Sequence, residues 1–194
     1  MKIQHFSHMN LEKSYAIMYL SYSGGGCTMV FQPGQKLLYG VHGVCTVVGI
    51  EQRKVDRKLV EYYCLSPVDR SSSNFYIPTG NPAALSKLHP IMTKAELEEL
   101  MRSVKEAPCV WFADENRRKQ HYRDLMATLD RQTMLSTVGA LVQHKNAQAA
   151  AGKKLHLCDE NFLRDAQKLI AGEFSLVLSI EKDEVQQYIQ NVLE

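Results

Sequence analysis

The feature that most constrains this chain is a glycine-bracketed corner between two short apolar segments. Residues 31–51 contain a Pro-Gly turn, an apolar segment at 36–39, a corner flanked by Gly40 and Gly43, and a long β-branched segment from Val44 onward. Glycine adopts backbone conformations at such corners that other residues reach only at a cost. This order predicts the opening of a small, strongly bent β-barrel. A chain built this way is better suited to binding than to catalysis.

The alternation typical of β-strands continues to about residue 78. Strands are predicted over residues 36–39, 44–52, 59–65 and 74–77. Val44, Thr46, Val48 and Ile50 are predicted to share one face of the second strand, with Cys45 and Val47 on the other. A charged hairpin over residues 53–58 connects the second strand to the third. Four or five strands in about 55 residues match a small barrel of the Tudor or SH3-like kind.

After residue 90 the apolar period becomes that of helices. Thr93 and Glu96 form a capping box that opens the first helix. Later helices are predicted to begin at Asp114, Asp130, Asp159 and Asp183. The strongest apolar stripe follows Asp159 and consists of Phe162, Leu163, Ala166, Leu169, Ile170, Phe174, Val177 and Leu178. The predicted fold class is therefore α+β: a Tudor-like barrel over residues 29–91, then an all-helical domain over residues 92–194 that packs on itself.

Residues 1–28 do not resemble the rest of the chain. Three consecutive glycines at 24–26 would be encoded by a purine-rich stretch six nucleotides before the codon of Met29, as a ribosome-binding sequence would be. One hypothesis is that Met29 is the true start and residues 1–28 are a mis-assigned extension. The alternative is an ordinary disordered tail. Either way, this segment is expected to be poorly packed.

Charge and cysteine content exclude several classes of protein. The net charge of +2 over 194 residues is too small for binding to nucleic acid or membranes through the bulk field alone. Residues 29–91 carry a net charge of +3 and residues 92–194 carry −2. Five scattered cysteines argue against a disulfide framework and favour a reducing cytoplasm. No apolar run approaches the roughly 20 residues of a membrane span.

The residues that could support catalysis or metal binding are sparse. Cys45 lies three residues after His42, but no third group or oxyanion-hole pattern accompanies them. Cys45, Cys64 and Cys158 are therefore interpreted as buried structural cysteines. No histidine has a second histidine or a cysteine at i, i+4, so neither a metal site nor a cofactor is predicted. The rival class, an enzyme with Cys45 or Cys109 as nucleophile, predicts rapid alkylation of one thiol.

Basic side chains mark the hairpin over residues 53–58, which include Arg53 and Lys54. Hairpin tips are often charged simply because they are solvated. The functional alternative is that the flanking strands form a free barrel edge, which adds a strand from a partner protein. Arg53 and Lys54 then pair with acidic side chains of that partner.

Two basic clusters lie in the helical half. They consist of Arg117, Arg118 and Lys119, and of Lys153 and Lys154. The first cluster begins a helix, where the helix dipole favours anions, so contact with an external polyanion such as DNA phosphate is one interpretation. A solvated helix face is the other. Trp111, the single tryptophan, is either a core residue or an exposed wedge against DNA bases.

These motifs resemble a known family. The order Gln32-Pro33-Gly34, Tyr39-Gly40-Val41-His42-Gly43-Val44 and Ile50-Glu51 resembles the amino-terminal motif of the CarD-like bacterial transcription regulators, which share their polymerase-interacting domain with transcription-repair coupling factor. The helical half is similar in Trp111, Asp114-Glu115-Asn116-Arg117-Arg118-Lys119, Gly152-Lys153-Lys154-Leu155-His156 and Glu173-Phe174-Ser175-Leu176-Val177-Leu178. The resemblance covers residues 29–194.

The resemblance implies a non-enzymatic transcription regulator. Its Tudor-like domain would bind the β subunit of bacterial RNA polymerase, with Arg53 facing the polymerase and Tyr76 and Pro78 on the same surface. Its helical domain would lie against promoter DNA at the upstream edge of the transcription bubble and stabilise the open complex without sequence specificity. The residues that this assigns to DNA are Trp111, Arg117, Arg118, Lys119, Lys153 and Lys154. A monomer in the cytoplasm, associated with the nucleoid through polymerase, is expected.

A free-standing, non-specific DNA-binding protein that needs no polymerase is the alternative function. It predicts tight and steeply salt-dependent binding of duplex DNA by residues 92–194 alone. The net charge of −2 over these residues argues against it.

Overall fold

The computed structural model describes residues 19–22, 27–69, 73–106 and 111–193, and its architecture is α+β. Strands β1 (Tyr19–Tyr22) and β2 (Cys27–Val30) pair antiparallel in a small sheet of their own. This pairing was not predicted from the sequence. Residues 1–18 and 23–26 of the proposed extension lie outside the described residues, so the hypotheses about residues 1–28 stay predictions.

The main sheet has five antiparallel strands in the order β6-β5-β4-β3-β7. They are β3 (Lys36–Tyr39), β4 (Val44–Val55), β5 (Lys58–Pro67), β6 (Phe75–Pro78) and β7 (Leu88–Pro90), with a short helix α1 (Pro82–Leu85) before the last. The four predicted strands are confirmed to within three residues at each end. Among the described residues no pairing joins β6 to β7, so the sheet is open and the predicted closed barrel is not confirmed.

The glycine corner joins β3 to β4 through one turn of 3-10 helix at Gly40–His42. Gly43 ends this turn with φ 76° and ψ −153°, a conformation essentially restricted to glycine. Its carbonyl oxygen accepts a hydrogen bond from the Tyr39 N–H at 2.9 Å. The corner predicted from the glycine spacing is therefore confirmed.

A β-bulge changes which face β4 presents. The register with β5 shifts between Val47 and Gly49, so one extra residue stands in β4. Before the bulge, Val47 is opposite Leu65; after it, Ile50 is opposite Tyr63 on the same face. The prediction that Ile50 shares a face with Val44 and Thr46 was therefore wrong, because a single inserted residue reverses the alternation.

The described residues of the helical half form five helices. They are α2 (Lys94–Glu106), α3 (Glu115–Thr128), α4 (Arg131–Ala150), α5 (Leu157–Leu178) and α6 (Lys182–Leu193). The capping box is confirmed, since the Thr93 N–H donates to Glu96 and the Glu96 N–H donates to the Thr93 hydroxyl. Asp114 and Asp130 cap α3 and α4 as predicted. No helix in the described part of the chain has the length and apolar character to cross a membrane.

Helix α5 begins two residues earlier than predicted. His156 is its N-cap, with Nδ1 accepting a hydrogen bond from the Cys158 N–H at 3.3 Å. Asp159 is instead almost fully buried in the first turn. Asp159 was predicted to open this helix because the sequence alone does not reveal that Arg118 and Tyr122 bind its carboxylate in the interior.

The two halves share a core. One buried cluster lies within the sheet half, around Leu37, Cys45 and Tyr63. The larger cluster contains the predicted apolar stripe of α5 and also Leu38 and Val44 of the sheet. Consecutive strand residues point to opposite faces, so Leu37 enters one cluster and Leu38 the other. The helical half therefore packs on itself and also on these two residues of the sheet, which was not predicted.

A buried carboxylate fixes the junction between the halves. Glu173 on α5 is 1% exposed, and its Oε1 accepts a hydrogen bond from the Met92 N–H at 3.1 Å. Arg131 at the start of α4 donates to both Glu173 oxygens, at 2.8 and 2.9 Å, and to the Pro90 carbonyl at 2.9 Å. The segment around residue 91 is thus held by two helices rather than acting as a loose linker.

Candidate functional site

Among the residues that the structure describes, none pairs with one side of the outer part of β4. Strand β3 covers β4 only as far as Thr46, and the preceding loop bonds to Val47. Over residues 48–55, β5 is the only described strand that pairs with β4. The other side of β5 is occupied by β6 opposite residues 62–65. Of the two strands flanking the hairpin, β4 therefore has the longer free edge.

Three of the four side chains predicted to face a partner share one face of the sheet. The registers place Arg53, Tyr76 and Pro78 on this face and Lys54 on the opposite one. The Arg53 guanidinium carbon lies 3.3 Å from the centre of the Tyr76 ring, and its Nη2 lies 3.3 Å from a Glu51 oxygen. Tyr76 thus holds the guanidinium as a cation–π partner.

Apolar side chains accompany these basic residues. Val48, Ile50, Val55 and Leu59 of β4 and β5 are exposed, with Leu59 at 71%. Because these side chains are exposed to water, burial does not stabilise them within the chain itself. Such an apolar hairpin with an open backbone edge is typical of a surface that meets another protein.

The first turn of α3 and the second half of α4 meet around Trp111. This ring is 44% exposed, lies 4.7 Å from the His144 ring between centroids, and has the Arg118 guanidinium carbon 5.0 Å from its centre. Trp111 is therefore not a core residue. One part of the indole is supported by neighbours and the rest is available to solvent.

Arg118 is buried beneath this surface. It is 8% exposed and donates to Asp159 at 3.0 Å and to the carbonyls of Phe112 and Ala113, each at 2.9 Å. Asp159 also accepts from the Tyr122 hydroxyl at 2.8 Å, and burial raises the pKa of Tyr122. The predicted contact of Arg118 with DNA phosphate does not fit this burial. Its role in the structure is to hold the segment that follows Trp111.

The remaining basic residues lie on the surface. Arg117, Lys153 and Lys154 are exposed, whereas Lys119 is half-buried and forms an ion pair with Glu115. The Lys153 N–H donates to the Gln148 carbonyl at 2.8 Å, closing the end of α4. Lysines at a helix C-terminus also interact favourably with its dipole, so these two have a structural role beside any contact with phosphate.

The cysteine positions bear on the rival catalytic interpretation. Cys45 and Cys64 are buried, as predicted, and burial raises the pKa of Cys45 to about 11. A thiol of this kind is a poor nucleophile at neutral pH. Cys158 is only half-buried, contrary to the prediction, because it lies in the first turn of α5 beside the solvent. Cys109 lies outside the described residues.

One cluster was missed by the sequence analysis. Glu115, His156 and Cys158 each offer an atom within 4.8 Å of the others. His156 lies between them, with Nδ1 3.1 Å from the Cys158 Sγ and Nε2 3.3 Å from a Glu115 oxygen. The His-x-Cys spacing was visible in the sequence. Glu115 was not, because it reaches the pair only through the packing of α3 on α5.

Comparison with known families identifies the sheet half. Residues 31–89 match the family model of the CarD-like/TRCF RID domain. This confirms the predicted resemblance over that range and indicates an RNA polymerase-interacting transcription factor. The match ends before α2. No curated protein matches the chain significantly.

Proposed function

We propose that this protein, whose residues 31–89 form a CarD-like/TRCF RID domain, binds the β subunit of bacterial RNA polymerase through its sheet half and stabilises the promoter open complex through its helical half. The observation that carries the proposal is the unpaired edge of β4 over residues 48–55 within the matched domain.

The polymerase contact is best explained as strand addition. An extended segment of the partner can hydrogen-bond to the free edge of β4, and neighbouring side chains then supply specificity. Ile50 offers apolar contact area beside that edge. Arg53, held over the Tyr76 ring, offers a positive charge that acidic side chains of the partner can meet.

A pull-down of purified RNA polymerase tests this contact. Arg53→Glu reverses the charge on the proposed surface, so we expect the retained polymerase to fall at least about tenfold, as for the loss of an interface hot spot. Lys87→Glu is the matched control, since Lys87 is exposed just before β7 and lies outside the hairpin and outside residues 48–55 of β4. Equal retention of polymerase by wild type and Arg53→Glu would refute the assignment of this surface.

The DNA contact is proposed for Trp111, Arg117, Lys119, Lys153 and Lys154. A half-exposed indole can insert against an unstacked base step, while the guanidinium and ammonium groups of the helical half neutralise phosphates. Such contacts alone are weak, with Kd values of roughly 10⁻⁴ to 10⁻⁶ M for non-specific binding. Tethering to polymerase raises the local concentration to about millimolar, which makes the weak contact effective.

Open-complex lifetime in a transcription assay tests the DNA contact. We expect Trp111→Ala to shorten this lifetime while folding and polymerase retention are unchanged, because the indole is only partly packed. A lifetime equal to that of wild type would exclude the wedge. If Trp111→Ala unfolds the protein, the indole is structural and the assignment also fails.

The salt dependence of DNA binding separates phosphate contacts from structural lysines. Replacing both Lys153 and Lys154 by Gln removes two proposed phosphate contacts, so the slope of log K against log salt should become shallower by about 2. Lys94→Gln at the start of α2 is an exposed control for which no change in slope is expected. An unchanged slope in the double variant would assign both lysines to the end of α4 alone.

A further inference from the structure

The first turns of α3 and α5 bring three different metal-ligand types to one place on the surface. Glu115 is the first residue of α3, His156 caps α5 and Cys158 is the second residue of α5. We propose that Glu115, His156 and Cys158 bind a divalent ion of the zinc class, with at least one coordination position left to water.

The ligand types select the metal. A thiolate, an imidazole nitrogen and one carboxylate oxygen form a set that zinc accepts in tetrahedral sites, whereas magnesium and calcium require oxygen ligands. With metal–nitrogen bonds of about 2.0 Å and metal–sulfur bonds of about 2.3 Å, a tetrahedral site separates N and S by roughly 3.6 Å. The present separation between His156 Nδ1 and Cys158 Sγ is 3.1 Å. For an ion bound at Nδ1, the nitrogen–sulfur separation must therefore increase by about 0.5 Å, and Nδ1 must give up the hydrogen bond that it accepts from the Cys158 N–H. The Glu115 carboxylate, which now contacts Nε2, must also turn towards Nδ1.

Buried contacts hold the two helix ends that carry these ligands. Arg118 on α3 lies one helical turn after Glu115 and Asp159 on α5 directly follows Cys158, and the two form a buried ion pair at 3.0 Å. Asp159 also lies 3.4 Å from Cys158 Sγ as a hydrogen-bond acceptor. Because the backbone positions of both ligands are fixed from below, little conformational entropy remains to be lost when an ion binds.

The local charges allow a cation to bind once the Lys119 ammonium moves away from Glu115. The Cys158 thiol loses its proton to solvent as the metal–sulfur bond forms, and the resulting thiolate together with the Glu115 carboxylate balances the charge of the ion. In the structure, Lys119 forms an ion pair with the Glu115 carboxylate. A metal ion replaces this ammonium, whose side chain is long and 40% exposed and can turn into solvent.

Titration of the full chain with cobalt and with zinc, in a thiol-free reductant, tests the site. We expect one equivalent of Co²⁺ to produce a sulfur-to-cobalt charge-transfer band that zinc abolishes. Cys158→Ser should remove the band, and His156→Asn and Glu115→Gln should each lower zinc affinity by more than about tenfold, the usual minimum even for residues behind the ligands. His156→Asn keeps a good helix cap.

Glu160→Gln is the matched control, because it removes an exposed carboxylate from the same turn of α5 outside the cluster. Its zinc affinity should equal that of wild type. A band that survives Cys158→Ser would assign the metal to another thiol and overturn the proposal. Absence of any band in the wild-type protein would overturn it as well.

Lys119→Gln gives a second test in which binding strengthens. Removing the competing ammonium should raise zinc affinity about twofold, the equivalent of one surface i, i+4 ion pair. Unchanged or weaker binding would contradict a site that includes Glu115. None of these measurements depends on polymerase or DNA, so they are independent of the proposed function.

Discussion

The two halves of this protein are organised by different forces. In the sheet half, four residues with positive φ, namely Gly40, Gly43, Asp56 and Arg57, set the corner and the hairpin, and the charged side chains of that hairpin stay in water. In the helical half, two carboxylates are about 1% exposed, and each binds an arginine more than forty residues away in the chain. Local backbone geometry therefore shapes one half, and long-range buried ion pairs shape the other.

The difference also has a functional side. The hairpin of the sheet half extends beyond its own core and leaves backbone groups and apolar side chains for a partner. In the helical half, Asp159 binds both Arg118 and Tyr122 beneath Trp111, and Arg118 holds the backbone that follows the indole. One half is thus suited to joining another sheet, and the other to presenting a fixed surface.

The largest expected effect comes from the buried ion pair beneath Trp111. Asp159→Asn leaves the Arg118 charge uncompensated in the interior, so the free energy of unfolding should fall by about 3 kcal/mol. Urea denaturation followed by circular dichroism measures it. Glu160→Gln, at the exposed neighbouring position, should change stability by less than about 0.5 kcal/mol. Similar losses in both variants would show that the buried ion pair does not shape the helical half in particular.

The second effect concerns the corner of the sheet half. Gly43→Ala places a side chain at φ 76° and ψ −153°, which should cost about 1–3 kcal/mol of stability. The added Cβ meets no atom within 4 Å, so the loss would be due to the backbone alone. Gly80→Ala is the control, because that glycine has equal space around it and no positive φ. A fully stable Gly43→Ala protein would show that the corner can relax.

A smaller change should stabilise the hairpin. Arg57 has φ 65°, a conformation that destabilises a residue with a side chain by roughly 1–2 kcal/mol and that glycine adopts without this cost. Glycine also has more conformational freedom in the unfolded chain, which offsets about 0.4–1 kcal/mol of the stabilisation expected from Arg57→Gly. Arg57→Gly should therefore raise stability by about 0.5 kcal/mol in thermal or urea unfolding. The neighbouring Lys58→Gly, within the strand, should lower stability instead.

The smallest effect is a pH dependence at the junction of the halves. Burial, followed by the nearby Arg131, lowers the pKa of His89, while Glu173 partly opposes this. The unfolded chain, with a histidine pKa of about 6.5, then binds more protons than the folded one. The contribution of His89 to the free energy of unfolding should therefore be fully present above about pH 6.5 and be lost as pH falls through the lowered pKa of His89. In His89→Gln this part of the decline should disappear, whereas in His144→Gln it should persist.

The features that the sequence predicted correctly depend on contacts between near neighbours in the chain. The capping box at Thr93, the caps at Asp114 and Asp130, and the corner at Gly43 each depend on contacts within about four residues. The residue types at a few consecutive positions are therefore enough to predict these features. The bulge at Val48 was not predicted, because nothing in the alternation itself marks one inserted residue.

The candidate sites divide in the same way. Arg53 and Tyr76 were predicted as one surface, and the sheet register does bring them into contact. Arg118 was predicted to be a DNA contact because its neighbours are basic, yet its guanidinium is buried against Asp159. Whether an arginine in a basic run meets solvent or a buried carboxylate depends on a partner forty residues away, and composition cannot show this.

By itself, the sequence determined an α+β chain with a strand-rich first half, a helical second half and the turns and caps that begin and end most of their elements. Only the tertiary structure decided that Leu38 and Val44 of the sheet join the helical core, that Trp111 is exposed, and that Glu115 meets His156 and Cys158. The physical reason is range: turns and caps form between near neighbours, whereas burial and ion pairing depend on which distant surfaces exclude water from each other.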